Sequence, residues 1–219
     1  MAAMTVAGGF ANHAIAAVSS HFGSAEKQFR FPLEYGNQRP FSSTWTVTGG
    51  GAFLISDEPS ELVIPSITTG KIVDYGVKDS MNMGAAMAPA AANVIYQHFQ
   101  DFQTSPEEYD RIITGDLGVV GQKLLWQLLE ENGYNIQKQH MDCGIEIYCP
   151  EEQNTHAGGS GCACSAVMLA AHILPKIQNG EWKRVLFVPT GALLSTVSFN
   201  EGQTVPGIAH GVVIERSSR

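Results

Sequence analysis

The sequence predicts an α/β fold built from two related halves, and three observations carry that prediction. Hydrophobic residues make up 44% of the 219 residues and charged ones only 16%, with Gly and Ala plentiful, a balance that suits buried α/β packing better than a solvated helical array. A short buried strand, Arg111 to Thr114, empties into the glycine turn Gly115-Asp116-Leu117-Gly118 and then into the amphipathic pattern VGQKLLWQLLEENGY, stopped at Gly133. The third observation is a repeat: Gly9 followed by FANHAIAAVSS matches Gly180 followed by EWKRVLFVPTG, each a helix end, a polar link and a buried strand.

Taken in order, residues 2–9 read as the tail of a helix ending at Gly8-Gly9, and Ala14 to Ser20 as a short buried strand. The Pro- and Gly-punctuated stretch up to Pro40 reads as a long structured loop, holding Lys27, Arg30 and Arg39 among Phe29, Phe31 and Tyr35. Thr44 to Ser56 is expected to be a strand broken by Gly49, Gly50 and Gly51 and resumed at Ala52 to Ile55, and SELVIPSITTGKIVDYG adds further strand. From Met81 to Phe102 the pattern is helical despite Pro89 and small on one face, as suits close helix packing. Near the end, IAHGVVI repeats the shape of GGGAFLI, so a kinked strand is expected there, with Gly211 matching Gly51.

The stretch Asn154 to Ala166, NTHAGGSGCACSA, stands directly before the helical run VMLAAHILPKI. Its glycines present bare amide N–H groups at a helix start, an end that attracts anions. Cys143, Cys149, Cys162 and Cys164 read as free thiols rather than a disulfide framework, and the Cys162/Cys164 spacing is not that of a zinc ribbon, so neither a metal nor a cofactor is expected. A net charge of −8 without a cluster of Lys and Arg argues against a nucleic-acid track. No apolar run is long enough to span a bilayer, and the first residues lack the basic start of a signal peptide. Asp116, just past a strand's carboxyl end, is placed either to work in a site or simply to cap the helix that follows.

Five strings, EKQFRFPLEYGNQRP, TWTVTGGGA, GKIVDYGVKDSMNMGAAMAPAA, TGDLG and NTHAGGSGCACSA, resemble the stage V sporulation protein AD family of the thiolase-like superfamily. The resemblance implies a layered α/β/α/β/α fold of two related halves. It divides the chain into residues 1–75, a remainder of the N-terminal half, and residues 76–219, the C-terminal half. Members carry an Ala-Cys-Ser-Thr turn shortly before the helix in which this chain starts, so the first half is expected to be incomplete. Condensing enzymes of the superfamily use a cysteine thiolate at a helix start with a His and an Asn. By resemblance Asn154 matches that Asn, Asp116 stands where initiating ketoacyl synthases carry the His, and a carboxylate cannot donate to a developing oxyanion. Cys162 is then either a replacement nucleophile or a buried thiol packing a helix start.

Members of the family are implicated in binding dipicolinic acid (pyridine-2,6-dicarboxylate) and its calcium complex together with membrane proteins of the same operon. The expected function is therefore non-catalytic binding of that ligand for uptake into the developing spore. The alternatives are a ketoacyl-synthase-like acyltransferase and a structural partner of a spore membrane channel. A flat dicarboxylate needs cations or amide donors and an aromatic wall. Lys27, Arg30, Arg39, Thr48, Asp116, Asn154 and His156 are the expected contacts, with Asp116 and Asn154 also suited to the ligand's ring-nitrogen side or to calcium. The loop cations equally suit pairing with Glu26 and Glu34. A homodimer through the first strand and a peripheral position at the cytosolic face of the spore inner membrane complete the expectation.

Overall fold

The computed structural model describes residues 1–24 and 40–217. A six-residue helix, Ala2–Ala7, closes at Gly8, and Gly9 at φ 71° turns the chain into β1 (His13–Ser20). Next come β2 (Trp45–Thr46) and β3 (Gly49–Ser56), which runs antiparallel to β1 from His13 opposite Ser56 to Ser20 opposite Gly49. Two short strands follow, β4 (Leu62–Val63) and β5 (Ile67–Thr68), and then the central helix Met83–Phe102. Strand β6 (Arg111–Thr114) feeds the helix Gly118–Glu130, which leads to β7 (His140–Asp142). Strand β8 (Gly159–Ser160) precedes the cysteine helix that starts at Cys164. The chain ends in β9 (Arg184–Val188), β10 (Thr190–Ala192), β11 (Gly207–Ala209) and β12 (Gly211–Arg216).

The main sheet runs β4-β12-β9-β6-β7, with β5 also on β12. Strands β7, β6 and β9 are parallel, and β12 is antiparallel to β9, β4 and β5. Residues before 76 thus contribute strands to a sheet whose other members come from later in the chain. Because the chain leaves β6 for β7 on one side while β9 lies on the other, the carboxyl ends of β6 and β9 flank a switch in strand order. Crevices in open α/β sheets form at such a switch.

Both faces of the sheet are covered, and the alternation along each strand shows how. Ile112, Leu186 and Val213 pack with Val94, Ile95, Phe99, Leu125 and Leu129 of the central and Gly118–Glu130 helices. Their neighbours Ile113, Val185, Phe187 and Ile214 point the other way, onto Cys164, Ile173, Ile177 and Trp182. The two helices of the first layer cross at glycines: a Cβ on Gly84 would lie 2.2 Å from the Leu117 carbonyl oxygen and 3.0 Å from the Gly121 nitrogen. That crossing is the close packing read from the small residues around Met81 to Phe102. Pro89 leaves the helix unbroken. In the opposite layer the helix widens into a π turn, Leu169–Ile173, immediately before Leu174–Gln178. Pro175 there has no N–H to return to the preceding turn and its ring crowds that turn's carbonyl, so a wider turn is the accommodation.

Two expectations about the early strands are corrected. Strand β1 forms over the expected residues, but it is not buried: Ile15 is 72% exposed and Val18 41%. Strand β3 runs unbroken through Gly49 to Gly51, and the interruption falls earlier, at residues 47–48. The glycines serve close approach rather than a bend. A Cβ on Gly49 would lie 2.9 Å from Val167 Cγ2 and one on Gly51 3.1 Å from Ala166 Cβ, so their bareness lets β3 lie on the cysteine helix. The expected kink at IAHGVVI is present, since β11 and β12 are separated at His210.

Candidate functional site

At the switch in strand order one carboxylate gathers three turns. Asp116 follows β6 by two residues; its Oδ2 accepts from Ser160 Oγ (2.9 Å) and the Gly161 amide (3.0 Å), and its Oδ1 accepts from Thr190 Oγ1 (3.0 Å). Ser160 and Gly161 belong to the glycine turn before the cysteine helix, and Thr190 follows β9. Burial raises the Asp116 carboxyl to about 6; neighbouring Asp142 pushes in the same direction, while the Gly161, Ser160 and Thr190 donors pull it down. A buried carboxylate that accepts three hydrogen bonds is a brace: its acceptor capacity is largely spent, and it has no proton to donate while ionised.

Asp142, at the end of β7, does the same for the turn that carries Asp116. It accepts from Thr114 Oγ1 (2.6 Å) and from the amides of Leu117 (2.9 Å), Gly118 (3.0 Å) and Ile145 (3.3 Å). Gly118, at φ 63°, has space only for hydrogen, because a Cβ would meet the Ala157 carbonyl oxygen at 2.5 Å. The Val119 amide donates to that same carbonyl (3.0 Å), which ties the Asp116 turn to the NTHAGG turn.

From the other side, Ser43 and β2 clasp this turn. The Ala157 amide donates to the Ser43 carbonyl, the Trp45 amide to the Gly158 carbonyl and the Val47 amide to the Ser160 carbonyl. Ser20, at the end of β1, donates to the Val47 carbonyl (2.7 Å) and accepts from the Ala163 amide (3.0 Å), so a strand from the start of the chain caps the helix start. Burial pushes the Cys143 and Cys164 thiols far up, with the buried carboxylates Asp116 and Asp142 adding to it. Both are protonated packing groups, unsuited to attack as thiolates.

The expected contacts divide three ways. Lys27, Arg30 and Arg39 lie outside the described residues. Thr48, Asn154 and His156 reach the surface around the glycine turn. Thr48 is exposed and its Oγ1 accepts from the Phe22 amide (2.9 Å). Asn154 is exposed in a left-handed conformation (φ 52°) that closes the short helix Pro150–Gln153, so it does not point into the interior. His156, also left-handed (φ 51°), is half-buried with Nδ1 3.2 Å from Ser43 Oγ and its ring 5.5 Å from that of Phe41. Among the described ones, Asp116 alone is withdrawn from the surface. Cys162, read as a possible packing thiol, is exposed, whereas Cys164 is fully buried.

Sequence reasoning missed Ser20, Asp142, Ser160 and Thr190. The signal that singled out Asp116, a polar residue just past a short buried strand, was present for Thr190 after RVLFV and for Asp142 in HMD. Thr155 was missed too: it is buried, and its hydroxyl has no hydrogen-bond partner among the described residues, leaving one unspent donor between Asn154 and His156.

The profile of the stage V sporulation protein AD (SpoVAD) family matches residues 1–215. Stage V sporulation protein AD of Bacillus subtilis (strain 168) is 50% identical over 217 residues, which take in 99% of this chain and 64% of that protein, so the chain spans just under two thirds of this relative. Among solved structures, 3-oxoacyl-[acyl-carrier-protein] synthase III of Aquifex aeolicus VF5 superposes with a TM-score of 0.55 at 12% identity, over 98% of this chain and 61% of that one. The corresponding synthase III of Pseudomonas aeruginosa PAO1 gives a TM-score of 0.55 at 9% identity over the same shares, 98% and 61%. At such identities the likeness shows the fold, which is thiolase-like, and says nothing of the chemistry.

Proposed function

Because the chain belongs to the stage V sporulation protein AD family, we propose that it uses a thiolase-like scaffold to bind dipicolinic acid and its calcium complex, for uptake into the developing spore, without condensing acyl groups. The observation that carries this reading is the state of Asp116. A condensing site needs a donor aimed at the developing oxyanion. At the position matched to the catalytic His by resemblance, the chain instead has a carboxylate whose lone pairs are occupied by Ser160, Gly161 and Thr190. The turn it braces exposes Asn154 and half-exposes His156, polar side chains suited to orienting a polar ring rather than breaking a bond. Lys27, Arg30 and Arg39 supply the cations for the two carboxylates in this reading.

Titration calorimetry with dipicolinate, in the presence and absence of calcium, tests the proposal. Heat that saturates, and that weakens in Lys27→Ala or Arg30→Ala, is the expected result; no heat at millimolar ligand ends the idea. Mass spectrometry after exposure to acyl-CoA addresses acyl transfer, the exposed Cys162 being the thiol to watch: a thioester adduct there would favour the enzyme. The partners we propose are the stage V membrane proteins of the same operon and a second copy of the chain along β1, whose Ile15 and Val18 are exposed. No helix among the described residues is long and apolar enough to cross a membrane; the position we propose is peripheral, at the cytosolic face of the spore inner membrane.

A further inference from the structure

At the opposite end of the main sheet from Asp116, where β9 begins and β12 ends, a cleft of about 380 Å³ is lined by Gly180, Lys183, Arg184, Glu215, Arg216 and Ser217. We infer that this cleft is a binding site for a small oxyanion, a phosphate or carboxylate group, separate from the site around the glycine turn. Five residues of strand separate Lys183 from the β9 end that carries Thr190, roughly 17 Å at the usual rise.

Three cations face one carboxylate there, in a chain whose net charge is −8. The cations are held by the backbone. Asp110 Oδ2 accepts from the amides of Lys183 (2.7 Å) and Arg184 (3.0 Å), and the Arg216 amide donates to the Lys183 carbonyl (3.1 Å), which sets Lys183 and Arg216 side by side. Arg184 lies over the Tyr109 ring at 5.1 Å. Its Nε is 3.6 Å from Glu215 Oε2, too long for a hydrogen bond, and although buried it has no hydrogen-bond partner among the described residues. The Arg184 side chain is one third exposed and Lys183 and Arg216 are open to solvent, so charge-assisted donors stand at the cleft for an anion's oxygens. Gly180, at φ 77°, keeps the wall clear for Arg216: a Cβ there would come 2.9 Å from Arg216 Nη1. The cleft holds a small oxyanion with room to spare, and the Glu215 carboxylate on its wall disfavours an extended polyanion.

The test compares sodium phosphate and sodium acetate at about 10 mM with sodium chloride of equal ionic strength, reading melting temperature and calorimetric heat. The expected result is stabilisation by phosphate, by acetate or by both beyond that of chloride, with affinity lowered at least about tenfold in Lys183→Gln/Arg216→Gln. Both substituted residues are exposed, and circular dichroism of the double variant should match that of the parent. A response to phosphate alone assigns a phosphoryl ligand and one to acetate alone a carboxylate. Dipicolinate binding should persist in the double variant, which keeps this site distinct from the proposed one. The absence of any response beyond chloride, or a response that the double substitution leaves unchanged, overturns the inference.

Discussion

Two antiparallel strand pairs in this molecule are written in similar sequence and live in different surroundings. Strands β9 and β12 pair inside the main sheet, and Val185, Leu186, Val188 and Val213 are all completely buried. Strands β1 and β3 pair over eight residues as a ribbon of their own, and where Ile15 stands opposite Leu54 both are open to solvent, at 72% and 66%. The ribbon's inner face rests on the cysteine helix through Gly49 and Gly51, and the short helix Ala2–Ala7 also lies against both of its strands. The difference teaches that a short apolar run specifies a strand, while what covers the strand is decided by helices far away in the chain.

The largest expected effect lies on the buried side. Gly84→Val should destabilise by more than about 3 kcal/mol, because the clash is with the backbone of Leu117 and Gly121 and neither can swing aside. Next, Leu186→Ala in β9 should cost about 3 kcal/mol in chemical denaturation, against less than about 0.5 kcal/mol for Leu54→Ala on the ribbon. Equal costs would erase the contrast between the pairs. Asp116→Ala should cost about 2 kcal/mol by leaving the Ser160 and Thr190 hydroxyls and the Gly161 amide without their acceptor, and should abolish dipicolinate binding. Retained affinity would detach the brace from the site.

Acid titrates the buried region in two opposing ways. Burial holds His98 down to about 4 and His140 down to about 3, against 6.5, so as pH falls from 6.5 toward 4 the unfolded chain takes up protons that the folded chain refuses. Their contribution to stability is therefore complete above pH 6.5 and is lost across that window. Asp116, raised to about 6, and Asp142, also raised by burial, act in the opposite sense: as pH falls the folded chain protonates them first, and the cost of burying them diminishes. His140→Gln removes one refusing group, so its melting temperature should drop less between pH 6.5 and 4 than that of the parent. The smallest effect belongs to the ribbon, where Leu54→Lys should leave stability within about 0.5 kcal/mol and raise solubility, since it charges an exposed strand face. Unchanged aggregation, followed by light scattering, would show that this face is not the sticky one.

Much of the fold was legible because its signals are local. Arg111 to Thr114, Gly133 and the helix after Met81 could be read from period and punctuation, and Pro89 did not obscure the last of these. Burial of β1 was misread because Ile15 and Val18 look like core residues, and nothing in the strand itself says how much of it its neighbours leave exposed. Gly49 to Gly51 were read as a break because a glycine run carries the same letters whether it bends a strand or admits a neighbour, and only the position of Ala166 and Val167 decides. For the site, Asp116 was found and its partners were not. Its three donors come from residues 160, 161 and 190, and nothing in TGDLG announces them.

Those donors have a consequence for chain connectivity. Asp116 meets Ser160 across 44 residues and Thr190 across 74, and the Ala163 amide meets Ser20 across 143. Closing loops of that length costs entropy that a handful of hydrogen bonds cannot return by themselves. The braced glycine turn is therefore not a local motif that a peptide spanning Asn154 to Ala166 would reproduce. It exists only where the sheet has already brought its distant ends together, so the ligand binding proposed for this turn would double as a readout of whether the whole chain has folded.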